Sequence, residues 1–222
     1  MPTLTLRLRQ LLIVALVITL SISSSGCIGL VANLLHARYG NKVKAKYDGL
    51  AGRKVAVICV SQSATFGPTA AAHDIARRME RYLSLNVDSI QLISQQEIDV
   101  WTDENDWNQI DYRELGRGVN ADILVTVELK SFSLYEGKTL FKGRCEVELT
   151  VYDFVESNGT VVFEDIPAQI QYPITSGQYT ADTTEDAFRR AFIDVIAYRL
   201  ARNFYSYDVA DDFCRDPTNL GF

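Results

Sequence analysis

The stretch Ala121–Tyr135 (ADILVTVELKSFSLY), the turn signal Glu136-Gly137-Lys138 and the stretch Leu140–Val155 (LFKGRCEVELTVYDFV) decide the fold. In the second stretch Cys145, Val147, Leu149 and Val151 alternate with Glu146, Glu148, Thr150 and Tyr152. Side chains alternate across a strand, so this period of two predicts one buried face and one wet face. Ser157-Asn158-Gly159 is a hairpin signal, because Asn-Gly tolerates the left-handed backbone of a tight turn. Thr160–Tyr172 then reads as a third strand, which Pro167 confines to an edge or an irregular role. The three form an antiparallel meander.

Upstream, Val55–Val60 (VAVICV) is a short run rich in β-branched residues, as in a strand buried on both faces. Gly67-Pro68-Thr69 opens a helix whose Ala72, Ile75, Met79, Tyr82 and Leu83 recur at helical spacing. Ser89–Ser94 reads as a second strand, and Gln95–Trp101 and Ile110–Leu115 as short helices, the latter ended by Gly116 and Gly118. Downstream, a helix starts at Thr183 with Asp186 three residues on, a variant capping box. Its Phe188, Phe192, Ile196, Leu200 and Phe204 form an apolar stripe that predicts a face laid on the sheet. The order β-α-β-α-α-β-β-β-α predicts an α/β (α+β mixed-sheet) domain with a parallel start and an antiparallel meander, covered by helices.

The first residues read as an address. Arg7 and Arg9 precede the apolar run Leu11–Leu20, and the small residues Ser21–Gly26 lead to Cys27. Ser25-Gly26-Cys27 resembles the lipobox of bacterial lipoproteins, although Ser24 stands where leucine is usual. The resemblance implies cleavage before Cys27, which then carries the lipid. An uncleaved signal anchor is the alternative. It fits poorly, because bases flank the run on both sides (Arg38, Lys42, Lys44 and Lys46 beyond it) and serines interrupt its middle. The expected organisation is a signal peptide over 1–26, a lipid anchor and basic tether over 27–53, one globular domain over 54–208 and a loose tail over 209–222.

The 222 residues carry 22 Lys and Arg against 28 Asp and Glu, a net charge of −6. The signal holds +2, the segment through Lys54 +5, and residues 55–222 −13. An acidic domain lacks the basic face that nucleic-acid binding requires. Its basic tether reads either as a solvated spacer or as a segment resting on anionic headgroups.

Candidate chemistry is thin. Ser61 or Ser63 with His73 lacks the nucleophile elbow and a third member; His73 reads as an exposed or helix-capping residue. Asp103, Asn105 and Trp107 occupy alternate positions of a would-be calcium loop that lacks its glycine. Asp103, Asp106 and Trp107 would line the pocket of a glycan-acting enzyme, the least favoured reading. Cys59 and Cys145 fall in expected strands as small buried hydrophobes. With Cys214 they leave any pairing open. No zinc spacing or phosphate loop is found, so no cofactor, metal or catalytic residue is expected.

The run Lys54–Val60 (KVAVICV), then Gly116–Val125 (GRGVNADILV), then Val151-Tyr152-Asp153 with Asn158-Gly159 resembles the CsgG-like and LpoB-like envelope lipoproteins. The N-terminal domain of the translocation protein TolB is similar. So is a group of lipoproteins of unknown role from planctomycete-type bacteria, with a shared start at Tyr47–Val57 (YDGLAGRKVAV) and a shared centre at Glu114–Asp122 (ELGRGVNAD). The resemblance implies a non-enzymatic protein in the periplasm, on the outer membrane rather than the inner. It would be held in the bilayer through Cys27 and bind or help assemble an unidentified envelope protein. An oligomeric secretion or pore component like the curli exporter is the alternative. Against it, Glu128, Lys130, Glu136, Lys138, Lys142 and Arg144 charge the hairpin that would face lipid.

Overall fold

The computed structural model describes residues 42–61, 66–105 and 111–208. Strands are β1 (Lys42–Val43), β2 (Lys54–Ser61), β3 (Gln91–Leu92), β4 (Ile123–Glu136), β5 (Leu140–Asp153), β6 (Thr160–Tyr172), β7 (Gln178–Tyr179) and β8 (Tyr207–Asp208). Helices are α1 (Phe66–Asn86), α2 (Gln95–Glu104), α3 (Tyr112–Gly118) and α4 (Glu185–Ala201), with a 3-10 turn over Arg202–Phe204. A six-stranded mixed sheet runs β3-β2-β4-β5-β6, with β7 also paired to β5. β2 is parallel to β3 and β4, and β4-β5-β6 is antiparallel, the mixed sheet that the order of elements predicts.

The first face of the sheet holds Val55, Val57, Val125, Val127, Leu149 and Val151, all buried in one core with α1 and α4. Helix α4 buries its expected stripe and more. Phe192 stacks on Phe132 at 5.4 Å and Phe188 on Phe141 at 5.0 Å. Gly143 of β5 lies under the Phe192 ring, where an added Cβ would come within 2.5 Å of it. Asp194 ties α4 to α1, accepting from Arg78 (2.9 Å) and from the Tyr82 hydroxyl (2.8 Å). The second face is covered over its parallel half, where Ala56, Ile58 and Leu124 pack against Ile93, Ile98, Leu115 and Val119.

Local signals moved by small steps. The cap of α4 is Thr184, not Thr183; its hydroxyl accepts from Ala187 N at 3.2 Å. The expected strand Ser89–Ser94 shrinks to Gln91–Leu92, because Ser94 instead caps α2. Helix α3 runs through Gly116 and ends at Gly118, with Val119 as its C-cap. Gly116 lies against the Phe154 ring and Gly118 against Trp101, where added Cβ atoms would sit 2.2 and 2.1 Å away. The left-handed residue after the helix is Asn120, at φ 52°. Pro167 lies in β6 between Asp165 and Ala168, where the pairing with β5 is irregular, so its missing N–H interrupts no regular ladder.

The basic segment before β2 is not a free spacer over its described part. Lys46 N and Tyr47 N both donate to Asn203 O at 2.9 Å. Leu50 is completely buried, and the Tyr47 ring packs against Phe163 and Phe204. Lys46 bonds Asp165 and Arg53 bonds Glu156, so part of the segment's positive charge is matched by acids of the domain itself. Burying one leucine and one aromatic ring outweighs the freedom of a solvated leash. Composition alone could not reveal that.

Candidate functional site

Beyond α2 and α3, the second face of the meander is uncovered by any described helix, and the strand period places its polar set there. Glu128 of β4 stands opposite Glu148 of β5 in register. Two carboxylates so placed repel, and Lys130 resolves the conflict. The pairing shifts between Leu129 and Ser131, leaving Lys130 as an extra residue in β4. Its Nζ lies 2.5 Å from Glu128 Oε2 and 3.1 Å from Glu148 Oε2. The bond to Glu128 holds the Lys130 ammonium above the usual lysine range.

Tyr112 of α3 donates its hydroxyl to Glu128 at 3.0 Å, and its ring lies 5.8 Å from that of Tyr152. Burial, reinforced by the Glu128 charge, pushes the Tyr112 phenol up, so it remains a donor. Further along the face, Ser131, Arg144, Glu146, Gln169 and Gln171 bound a shallow hollow of 220 Å3. The result is a surface with an acidic centre, an aromatic border and a polar hollow.

A second concavity lies at the C-terminal end of β2. Here Ser61, His73, Gln95, Asp99 and Thr102 line a crevice of 330 Å3. The chain leaves β2 for α1 on one face and β3 for α2 on the other, the place where open α/β sheets commonly hold ligands. The crevice brings Ser61 and His73 together and adds Asp99. A serine hydrolase needs the acid buried behind the imidazole. Asp99 is exposed, and His73 is half-buried within α1 rather than at its cap. Gln95, buried here, donates to Val57 O at 2.7 Å and to Glu80 Oε1 at 2.6 Å. Its role is to close the floor.

The thiols are placed for packing. Cys59 and Cys145 are free and buried. Burial pushes the Cys145 thiol up to about 12, and burial raises Cys59 as well. Neither forms the thiolate that nucleophilic or metal chemistry requires. Among the described residues no three His, Cys, Asp or Glu side chains gather around a metal position. Asp103 is exposed near the end of α2, while Asp106 and Trp107 lie outside the described residues, as do Cys27, Ser63 and Cys214. Among the described residues no helix is long and apolar enough to cross a membrane.

Sequence reasoning foresaw the wet face of β5 but not Tyr112, Lys130 or the crevice member Asp99. An extra residue in β4 places the lysine, and helix packing places the other two. Only the Glu128-x-Lys130 spacing beside Glu148 gave any advance sign.

No family model matches the chain, and no curated protein matches it in sequence. Among solved structures it is similar to the PelC dodecamer from Paraburkholderia phytofirmans, at 10% identity and TM-score 0.45, over 74% of this chain and 96% of that one. It is also similar to a lipoprotein from Neisseria meningitidis, at 10% identity and TM-score 0.44, over 67% and 97%. A third is the LpoB C-terminal domain from Salmonella enterica, at 12% identity and TM-score 0.39, over 64% and 92%.

Proposed function

We propose that this is a non-enzymatic protein of the cell envelope, lipid-anchored through Cys27, whose open sheet face binds or helps assemble another envelope protein. One observation carries the reading. Half of one sheet face is left uncovered by the described helices and is furnished with Glu128, Glu146, Glu148 and Glu164 in strand register and with Lys130, the extra residue of β4, among them. Four carboxylates around Lys130 leave an acidic patch, with Arg144 and Lys142 further along the same side of β5, and that patch suits a basic partner surface, where charge complementarity steers and orients the encounter. The lipobox-like Ser25-Gly26-Cys27 supports the location, on the periplasmic side of the outer membrane.

The pore reading is less favoured. The apolar face of the β4–β5 hairpin is the core of the domain itself, under α4, and its other face is charged. The first could not face lipid without dismantling that core, and the second would carry its charges into lipid. The glycan-enzyme reading needs a deep acidic pocket at Asp103, which is instead exposed.

The test is crosslinking in native cells with mass spectrometry, comparing the wild type with the Glu146→Lys/Glu148→Lys double variant. A discrete adduct lost in the double variant, with its thermal unfolding close to that of wild type, is the expected result. An adduct unaffected by the reversal would move the interface elsewhere.

A further inference from the structure

The turn between β5 and β6 carries a pattern that a hairpin does not require. Asn158-Gly159-Thr160 is an asparagine, a residue other than proline and a hydroxyl residue, the acceptor pattern for an N-linked sugar. No other asparagine of the chain has serine or threonine two residues on. The pattern is short and recurs by chance, so its place in the fold decides its meaning. An acceptor must lie on an exposed loop of an exported protein. Here Asn158 and Thr160 are both exposed, and Gly159 between them is buried. Asn158 sits at φ 53° and Gly159 at φ 80°, so the chain reverses at the asparagine. The backbone holds the reversal: Gly159 N donates to Asp153 O at 2.6 Å and Thr160 N to Ser157 O at 3.1 Å. The amide oxygen of Asn158 accepts from Arg117 at 3.4 Å, a long bond that leaves the amide nitrogen unengaged among the described residues. Glu156, two residues before, is exposed on the same turn. Its pair with Arg53 is a surface pair of the kind that exchanges readily, so the carboxylate offers a charge by which an enzyme can orient the turn. Five residues of β5 separate Asp153 from Glu148, roughly 17 Å. A group added at the turn therefore enters neither the core nor the acidic centre of the open face.

We propose that Asn158 is a glycosylation site, receiving an oligosaccharide from a lipid-linked sugar diphosphate through an oligosaccharyl transferase of the cell envelope. The proposal rests on the reading of residues 1–26 as an export signal, which brings the turn to the compartment of an exported domain. In the transfer, the amide nitrogen of Asn158 attacks the anomeric carbon of the sugar, and a carbon–nitrogen bond forms. The bond from that carbon to the diphosphate oxygen breaks, and the lipid diphosphate leaves. The amide gives up one proton to a base of the transferase. Thr160 supplies the hydroxyl by which the transferase holds the acceptor, and it forms no bond to the sugar.

The experiment recovers the full chain from the envelope of its native cells and maps the peptide containing Asn158 by mass spectrometry with fragmentation. The expected result is a mass increment of sugar residues located on Asn158. Thr160→Val should abolish it, because the hydroxyl is lost while the backbone bond from residue 160 to Ser157 O remains. Thr160→Ser, which keeps a hydroxyl, should retain it. Asn120 is an internal control: it is exposed and at φ 52°, but Ala121-Asp122 follows it, so it should carry no sugar. A turn with a structural role alone predicts the unmodified mass throughout. An unmodified Asn158 in the envelope-recovered chain overturns the proposal, whatever the state of Cys27. So does an increment located on another residue, or one that survives Thr160→Val. The intact mass of the N-terminal peptide keeps the two readings apart. Lipid on Cys27 with a bare Asn158 overturns the glycosylation alone, and sugar on Asn158 with a bare Cys27 overturns the anchor alone.

Discussion

On the first face of the sheet, Val55, Val57, Val125, Val127, Leu149 and Val151 lie beneath two long helices in a continuous core. On the second, Ala56, Ile58 and Leu124 lie beneath two short helices, and beyond them the same strands present Glu128, Lys130, Glu146 and Glu148 to solvent. The strands are shared, so backbone pairing cannot explain the difference. It lies in the alternate residues, which are apolar on both sides in β2 and on one side only in β5. The comparison separates two duties. The covered face holds the domain together, and the uncovered half-face is the one proposed to meet a partner.

Substitutions test this division, and the largest effect belongs to the covered face. Phe192→Ala should destabilise the domain by about 3–5 kcal/mol, read from denaturant unfolding, because its ring is wholly buried between strands and helix. In the smaller cluster Ile98→Ala should cost about 2–3 kcal/mol in the same assay. If Ile98→Ala matched or exceeded Phe192→Ala, the ranking of the two faces would be wrong. Next comes Asp153, buried at the end of β5, whose Oδ1 accepts from Val155 N and Glu156 N at 2.8 and 2.7 Å. Asp153→Ala should cost about 1–3 kcal/mol by leaving those donors unmet.

The open face should respond least in stability and most in binding. Glu146→Lys with Glu148→Lys should change unfolding by less than about 1 kcal/mol, as for solvent-screened charges, while removing the partner adduct. A large loss of stability would instead make these charges part of the scaffold.

The smallest effect concerns pH. Burial holds the Glu80 carboxyl above the usual carboxylate range, partly offset by its bond from Gln95. The folded state therefore keeps that proton more tightly than the unfolded chain. Its contribution is fully present below the ordinary carboxylate value and fades as pH rises through the elevated one. Thermal unfolding of Glu80→Gln against wild type should show the variant gaining in relative stability as pH rises from 4 toward 7. A gap that is flat with pH would remove the burial argument.

Much of this architecture could be read in advance. The alternation Cys145 to Tyr152 fixed which face of β5 is wet, and the stripe from Phe188 to Phe204 fixed what covers the other. Asn158-Gly159 marked the β5–β6 turn, where both residues adopt positive φ. The misreadings share a physical cause. Gly116 looks like a helix end in sequence, yet it lies within α3, and both it and Gly118, the last helical residue, are thin because Phe154 and Trp101 press on them from elsewhere in the fold. The tether read as a spacer or as a segment on headgroups because six bases dominate its composition, while Leu50 and Tyr47 supply the packing that holds its described part. Lys130 reaches its two glutamates through an extra residue in β4, and a strand period carries no record of an extra residue. Local pattern reports which side of an element is apolar. It does not report which distant ring or charge will meet that side.

The most direct test of the central claim places a photo-crosslinking residue at Thr150, on the open face, and separately at Leu85, an exposed position on α1. Both chains would be irradiated in native cells. The account predicts one discrete protein adduct from position 150, competed away by the unlabelled wild-type chain, and none of that mass from position 85. The same adduct from both positions, or one from position 85 alone, would contradict it.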